Sequence, residues 1–452
     1  MARSRWLPRI TLPLLATVSA TAVAVPAQAA SVGVASVVKT TIVQFKAAAK
    51  QKNRVVVTRS GNTVTIDDRV KIKAGPGCRA VKKDKTKVTC RVAKAPTLLR
   101  VYTYDAADSI TNKTNLPLTA SGGTGKDTIV GGPGADALHG DSGNDTLYGN
   151  GGDDGIWGDG GNDRISGGDG NDRLYGWTGD NRVWAGNGDD HVEVWTGTNE
   201  VWGGAGKDTV YGSHGVDRLW GGDGRDELFG QGGDDAIDGG AGPDHVSGED
   251  GDDVVHGGAD DDVVLGNYGN DTLFGGDGDD ELRGENGDDR VYGEAGIDEI
   301  WADAIKNDGD RDGQGTDYYS GGAANDSVVY RNYRASPVTA DPDGVSGDDG
   351  ADGERDTIAT DVEGIWGGFG DDTLTGGPGT NFLHGQEGND TLRGLGGEDY
   401  LFGDDGDDNV DGGDDGARDW VDGEGNTSST PGDTCYQWAL DDLDDCELII
   451  TP

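Results

Sequence analysis

From residue 122 to residue 301 an aliphatic side chain returns at every ninth position, always Val, Ile or Leu, from Ile129 through Leu174 and Val255 to Ile300. The residues between them are mostly Gly, Asp and Asn, so the pattern divides into twenty nine-residue units with no insertion. Each approximates Gly-Gly-x-Gly-x-Asp-x-aliphatic-x, with Asp at position six in eighteen units and Gly at position four in nineteen. Asn181 and Asn199 are the exceptions at position six, and Asp260 is the exception at position four. Self-similarity at a fixed period marks a solenoid. Six residues of Gly, Asp and Asn predict a turn, because glycine takes positive φ freely and lets carbonyls crowd. The next three, such as Thr272, Leu273 and Phe274, predict a short strand whose middle side chain points inward. Two units then form one flattened coil, and ten coils stacked about 4.8 Å apart make a rod about 45–50 Å long. One aliphatic per strand is a thin core against the entropy of ordering so many glycines. Something else must hold the turns.

The aspartates at position six supply a candidate. Stacking brings carboxylates one coil apart to the same edge, where they repel unless a hard cation lies between them. Calcium accepts six to eight oxygens in a flexible shell that glycine-turn carbonyls can complete, whereas magnesium demands a tighter octahedron and keeps its waters. A turn chosen for solubility alone would take Asn or Ser freely at position six, and this array rarely does.

With this motif the chain resembles the hemolysin-type calcium-binding (RTX) repeat family, and its leader and cysteines are similar to a secreted actinobacterial branch of it. The resemblance implies an all-β parallel β-roll with several Ca2+ ions as cofactors between adjacent turns. The aspartates that match the family position are Asp127, Asp136, Asp145, Asp154, Asp163, Asp172, Asp190, Asp208, Asp217, Asp226, Asp235, Asp244, Asp253, Asp262, Asp271, Asp280, Asp289 and Asp298 in the first array. Asp372, Asp390, Asp399 and Asp408 match it in a second array of five units, where Asn381 takes the remaining position six. The family carries such arrays on proteases, lipases, toxins and adhesins, so the resemblance leaves further activity open.

The rest of the chain defines the setting. Residues 1–29 carry Arg3, Arg5 and Arg9, an apolar run and Ala27-Gln28-Ala29, the pattern of a secretory signal peptide. No other segment is long and apolar enough to span a bilayer. Cys78 and Cys90 lie near one another, as do Cys435 and Cys446, which predicts two local disulfides in an oxidising compartment. A secreted protein follows, free or held at the cell surface. Residues 30–120 predict a small β domain that caps the rod, with strands at residues 40–45, 54–59 and 63–66 and a tight turn at Gly61-Asn62. Seventeen Lys and Arg stand against three acids between residues 39 and 100, while the chain as a whole is at −47. Beyond the first array at 121–301 come an acidic connecting segment (302–366) with one isolated repeat at residues 321–329, the second array (367–425) and a C-terminal cap (426–452). The run Asp308, Asp310, Asp312 opens like an EF-hand loop but lacks its twelfth-position Glu.

No catalytic constellation stands out. The six histidines form no H-E-x-x-H, and no G-x-S-x-G is present, so a non-enzymatic role is expected. The main expectation is a calcium-binding protein that folds on reaching extracellular calcium. The alternative is an adhesin or glycan-binding module of the cell envelope. For that reading the basic head could meet anionic polymers, or it could simply balance the acidic rod. The head lacks Trp, Tyr and Phe between residues 46 and 100, so nucleic acid is not an expected partner. Trp184, Trp202 and Trp220, spaced 18 residues apart, could stack sugar rings or form a cross-strand ladder.

Overall fold

The computed structural model describes residues 32–302, 315–330, 336–351, 354–423, 432–437, 441–444, 446 and 448–450. The expected signal peptide and the run at Asp308, Asp310 and Asp312 lie outside the described residues. Among those described there is no helix, and so none that could cross a membrane.

Each strand of the array pairs in parallel with the strand 18 residues further on. Thr146–Gly151 pairs with Arg164–Asp169, which pairs with Arg182–Asn187 and then Glu200–Ala205. The intervening strands, such as Arg173–Thr178 and His191–Thr196, stack in the same way on the opposite face. Two parallel sheets therefore face each other, and the position-eight aliphatics fill the space between them. Ile129, Leu147, Ile165, Leu174 and Leu273 are fully buried. The strands are longer than the three residues expected. Arg164–Asp169 is typical in having six, because the sheet bonds continue into positions one to three of the following unit, as in Gly168 on Gly186. Three-residue strands prevail in the second array, for example Thr373–Thr375 and Phe382–His384.

The turn favours glycine at position four, with Asp260 the exception at φ of 77°. Gly143 has φ of 140°, and a Cβ there would run into the carbonyl of Gly125 one coil earlier. Position two is also left-handed, but more tolerant: Asp141, Asn150 and Gln231 occupy it at φ of 69° to 79°.

The N-terminal residues do more than cover the rod. Ile42–Lys46 pairs in parallel with Leu98–Tyr102, which pairs with Leu118–Thr124. Arg54–Ser60 likewise pairs with Ser109–Asn112, and that strand with Thr128–Val130. These segments are coils of the same solenoid written without its glycine motif. Antiparallel strands close the end: Gly33–Val38 on Ile42–Lys46, and the hairpin Arg54–Ser60 with Thr63–Asp67 extended by Asp84–Arg91 and Cys78–Val81. The Cys78–Cys90 disulfide ties the last two.

The solenoid also continues past residue 302. Glu299–Trp301 pairs with Ser327–Val329, then Gly364–Trp366, then Phe382–His384. One sheet thus runs unbroken from the first array into the second. The other face changes: Arg290–Ala295 is followed by Tyr318–Ala323 and Thr357–Ile358, and a separate sheet begins at Val338–Ala340 and runs through Thr373–Thr375. A coil accepts long excursions at its turns because only its strands must keep register. Near the C-terminus Cys435, joined to Cys446, fills the inward position that an aliphatic takes elsewhere and is fully buried.

Candidate metal centre

Position six of every unit falls at a lateral edge, where the chain turns from one sheet to the other. Asp127, Asp145, Asp163, Asp217, Asp235, Asp253, Asp271 and Asp289 form one column with Asn181 and Asn199. Asp136, Asp154, Asp172, Asp190, Asp208, Asp226, Asp244, Asp262, Asp280 and Asp298 form the other. All are at most 4% exposed. Asp372, Asp390, Asp399 and Asp408 are equally buried in the second array.

A single bond pattern builds both columns. The backbone N–H of each position-six residue donates to Oδ1 of its counterpart one coil ahead: Asp127 to Asp145, Asp136 to Asp154 and Asp226 to Asp244, each at 2.7 Å. The carboxylate therefore reaches back toward the N-terminus and satisfies a donor that the turn leaves open. Its second oxygen is a different matter. Oδ2 is buried without a hydrogen-bond partner in each of those aspartates except Asp136, Asp217 and Asp372. In these three it accepts a backbone N–H from Gly132, Ser213 or Gly368, at 2.6 to 2.7 Å.

A row of buried carboxylate oxygens without donors is costly. Burial raises the pKa of these groups. The accepted N–H pulls the other way, and like charges along the column push up again. Asp127 stands at about 6, Asp145 at about 7, Asp154 at about 8 and Asp235 at about 9. The glycine at position one keeps the space beside Oδ2 clear, since a Cβ at Gly149 or Gly167 would strike Asp154 or Asp172. Among the described residues no three His, Cys, Asp or Glu side chains converge on one point. A cation here would draw on carboxylates from successive coils and on the crowded turn carbonyls. Such an oxygen-only, anionic and flexible donor set suits calcium.

Sequence spacing missed several members of the columns. Asp289 donates to Asp317, 28 residues on, Asp317 to Asp356, 39 residues on, and Asp408 to Asp433; Asp298 donates to Asp326, position six of the isolated unit at residues 321–329 that the sequence does show. Glu363 takes the acceptor role for Asp326. The signal was the short core of the motif, as in Gly315-x-Asp317-x-Tyr319 and Gly432-Asp433-x-Cys435, with the spacing lost to insertions.

The three tryptophans stack on one another. Trp184 and Trp202 have ring centroids 5.0 Å apart at 2°, and Trp202 and Trp220 are 4.9 Å apart at 3°. Their faces meet along the rod axis, so the inner faces are already occupied and ring edges point outward.

The fold and its edges define a calcium-binding β-roll. The sequence model of the RTX calcium-binding nonapeptide repeat, each match spanning up to four copies, fits residues 121–156, 157–192, 196–228, 229–264, 265–300, 365–392 and 384–416. Those matches cover slightly more than half of the chain, which therefore belongs to the family of RTX calcium-binding nonapeptide-repeat proteins. No curated protein matches the chain.

Proposed function

We propose that the protein is exported and non-enzymatic, and that its carboxylate columns take up calcium and give the roll its order outside the cell. The observation that carries this reading is the line of buried, unpartnered Oδ2 atoms along both edges. The ligands are the position-six aspartates from Asp127 to Asp298 and from Asp390 to Asp408 that have such an atom. Asp136, Asp217 and Asp372 contribute less, since a backbone N–H already holds their second oxygen.

Bound calcium supplies positive charge between carboxylates that otherwise repel, together with room for further oxygen ligands. The chain's part is to bury the carboxylates in register, with one oxygen anchored and the other free. Binding to the folded state alone makes metal affinity a source of folding free energy. Two disulfides fit an oxidising compartment, where calcium on the order of 1 mM saturates weak sites. The expected segments at 1–29, 30–120, 121–301, 302–366, 367–425 and 426–452 fit this reading as leader, cap, array, connection, array and cap.

Circular dichroism and small-angle scattering in EGTA and in rising calcium test it. The expected result is an expanded chain in chelator and a cooperative gain of β signal near 1 mM calcium. A chain equally compact in both overturns it.

Envelope-glycan binding is the second reading, and its observation is exposure: Trp195 is 57% and Trp184 39% exposed. Trp195, rather than the middle of the Trp184–Trp202–Trp220 stack, offers the more open ring. A cell-wall pulldown with Trp195→Ala and Trp184→Ala tests it, and binding that is absent or unchanged removes it.

A further inference from the structure

The cap and the array meet at a turn that carries no nonapeptide motif. In residues 103–111, Tyr104 and Ala106 have φ of 73° and 71°. Those are the left-handed values that non-glycine residues adopt at positions two and four along the array, as at Asp141, Asn150 and Asp260, with φ of 69°, 79° and 77°. Counted from these two residues, the segment is a cryptic unit: Asp108 falls at position six and Ile110 at position eight. The structure agrees at both. Ile110 is buried and pairs with Ile129, and Asp108 is 4% exposed.

Asp108 repeats the bonding of the columns. Its N–H donates to Asp127 Oδ1 at 2.6 Å, its own Oδ1 accepts the N–H of Asn53 at 2.5 Å, and its Oδ2 is buried with no hydrogen-bond partner. The Thr103 hydroxyl lies beside this carboxylate and within 3.2 and 2.9 Å of the Ser121 and Gly122 carbonyls. The carbonyls of Tyr104 and Ala106 are turned onto Gly123 and Gly125 so closely that a Cβ at either glycine would collide with them. Gly125 presents its own carbonyl to Gly143 in the same way one coil later. Two non-glycine residues hold a glycine conformation, and the carboxylate they position leaves one oxygen without a donor.

We propose that Asp108, with Asp127 and the carbonyls of the turn at residues 104–106, forms a further divalent-cation site of the calcium class that fastens the cap to the first coil of the array. It rests on the calcium reading above and extends it to residues outside the repeat motif. The Asp108 oxygens face both ways along the axis, one to the cap strand at Asn53 and the other to the junction. A cation there adds to the parallel strands and the shared core that already join the two regions.

Hydrogen exchange read by mass spectrometry on the full chain, in EGTA and in millimolar calcium, tests the site. Residues 53–57 and 109–112 are expected to exchange about tenfold more slowly in calcium than in chelator. Asp108→Asn keeps an acceptor for Asn53 but removes the charge, and it should cut that gain to about twofold or less while the array beyond Gly143 still responds. Junction amides that exchange alike with and without calcium, or an Asp108→Asn chain that responds as fully as the parent, overturn the site. An array that does not respond anywhere overturns the calcium reading instead.

Discussion

The coils from Asp226 to Asp298 and the two that carry Asn181 and Asn199 close the same turn by different chemistry. In the first, every edge residue is a carboxylate with Oδ1 bonded back one coil and Oδ2 buried alone. In the second, both units follow Trp-Thr-Gly-x-Asn-x-Val-Trp, at residues 177–184 and 195–202. Asn181 still accepts the N–H of Asp163 and Asn199 that of Asn181, each at 3.0 Å. Their amide N–H groups turn to the chain itself: Asn181 Nδ2 to the Gly179 carbonyl at 3.0 Å, and Asn199 Nδ2 to Asp217 Oδ1 at 2.9 Å. Val194 occupies the position-one space that glycine elsewhere leaves beside Oδ2. Trp177 and Trp195 pack edge to face at 4.6 Å. At those two edges an amide donor of the chain itself takes the place of the open carboxylate oxygen. One column thus contains both edges with an open carboxylate oxygen and edges closed by an amide of the chain itself.

Chelation should expose the difference most strongly. In EGTA, hydrogen exchange across residues 226–298 should speed up by about a hundredfold or more, while residues 176–202 keep most of their protection. Uniform loss along the rod would erase the distinction. The next largest effect is expected from Asp226→Ala, Asp235→Ala and Asp244→Ala combined, which remove neighbouring ligands on both edges. The calcium midpoint followed by circular dichroism should rise by about three- to tenfold, and an unmoved midpoint would remove these residues from the ligand set.

The pKa shifts give a third expectation, with a definite sign. The folded carboxyls titrate at about 6 to 9, above the ordinary Asp value of about 4. The metal-free roll therefore binds more protons than the unfolded chain between those values. Its extra stability is present in full below about pH 4 and is lost as pH rises through 6 to 9. In chelator, β signal should grow on acidification from pH 8 to 5, and the calcium midpoint should fall as pH rises because protons no longer compete. Titrations at three pH values check both. Asn181→Asp with Asn199→Asp should convert the exceptional coils, lowering the chelator-resistant protection of residues 176–202 by about tenfold. Protection that survives the double change would assign it to the tryptophans rather than the amides. Last, Trp202→Ala removes both stacks of the ladder and should cost about 2 kcal/mol in the calcium-loaded state, seen as a lower thermal midpoint.

Much of this architecture was legible in the chain because one period fixes coil length, inward side chain and edge residue together. Ile129 and Asp127 could be placed from spacing alone. Asp317, Asp356 and Asp433 could not, since extra residues lengthen their spacing while the strand register stays intact. Asp108 was hidden for the opposite reason: Tyr104 and Ala106 adopt glycine backbone conformations that residue identity does not announce. The strand lengths escaped as well, because positions one to three look like turn residues yet continue the sheet bonds. The tryptophan spacing did predict a column, but ring orientation depends on how neighbouring indoles settle against each other.

The backward reach of each carboxylate gives the rod a direction. A coil is finished only when the following eighteen residues deliver an oxygen to its waiting N–H, as Asp145 does for Asp127. A polypeptide threaded through a pore with its amino end leading can therefore zip up stepwise on the emerged side, starting from the disulfide-tied head. Each turn locks its predecessor, and the portion still in transit need not take part.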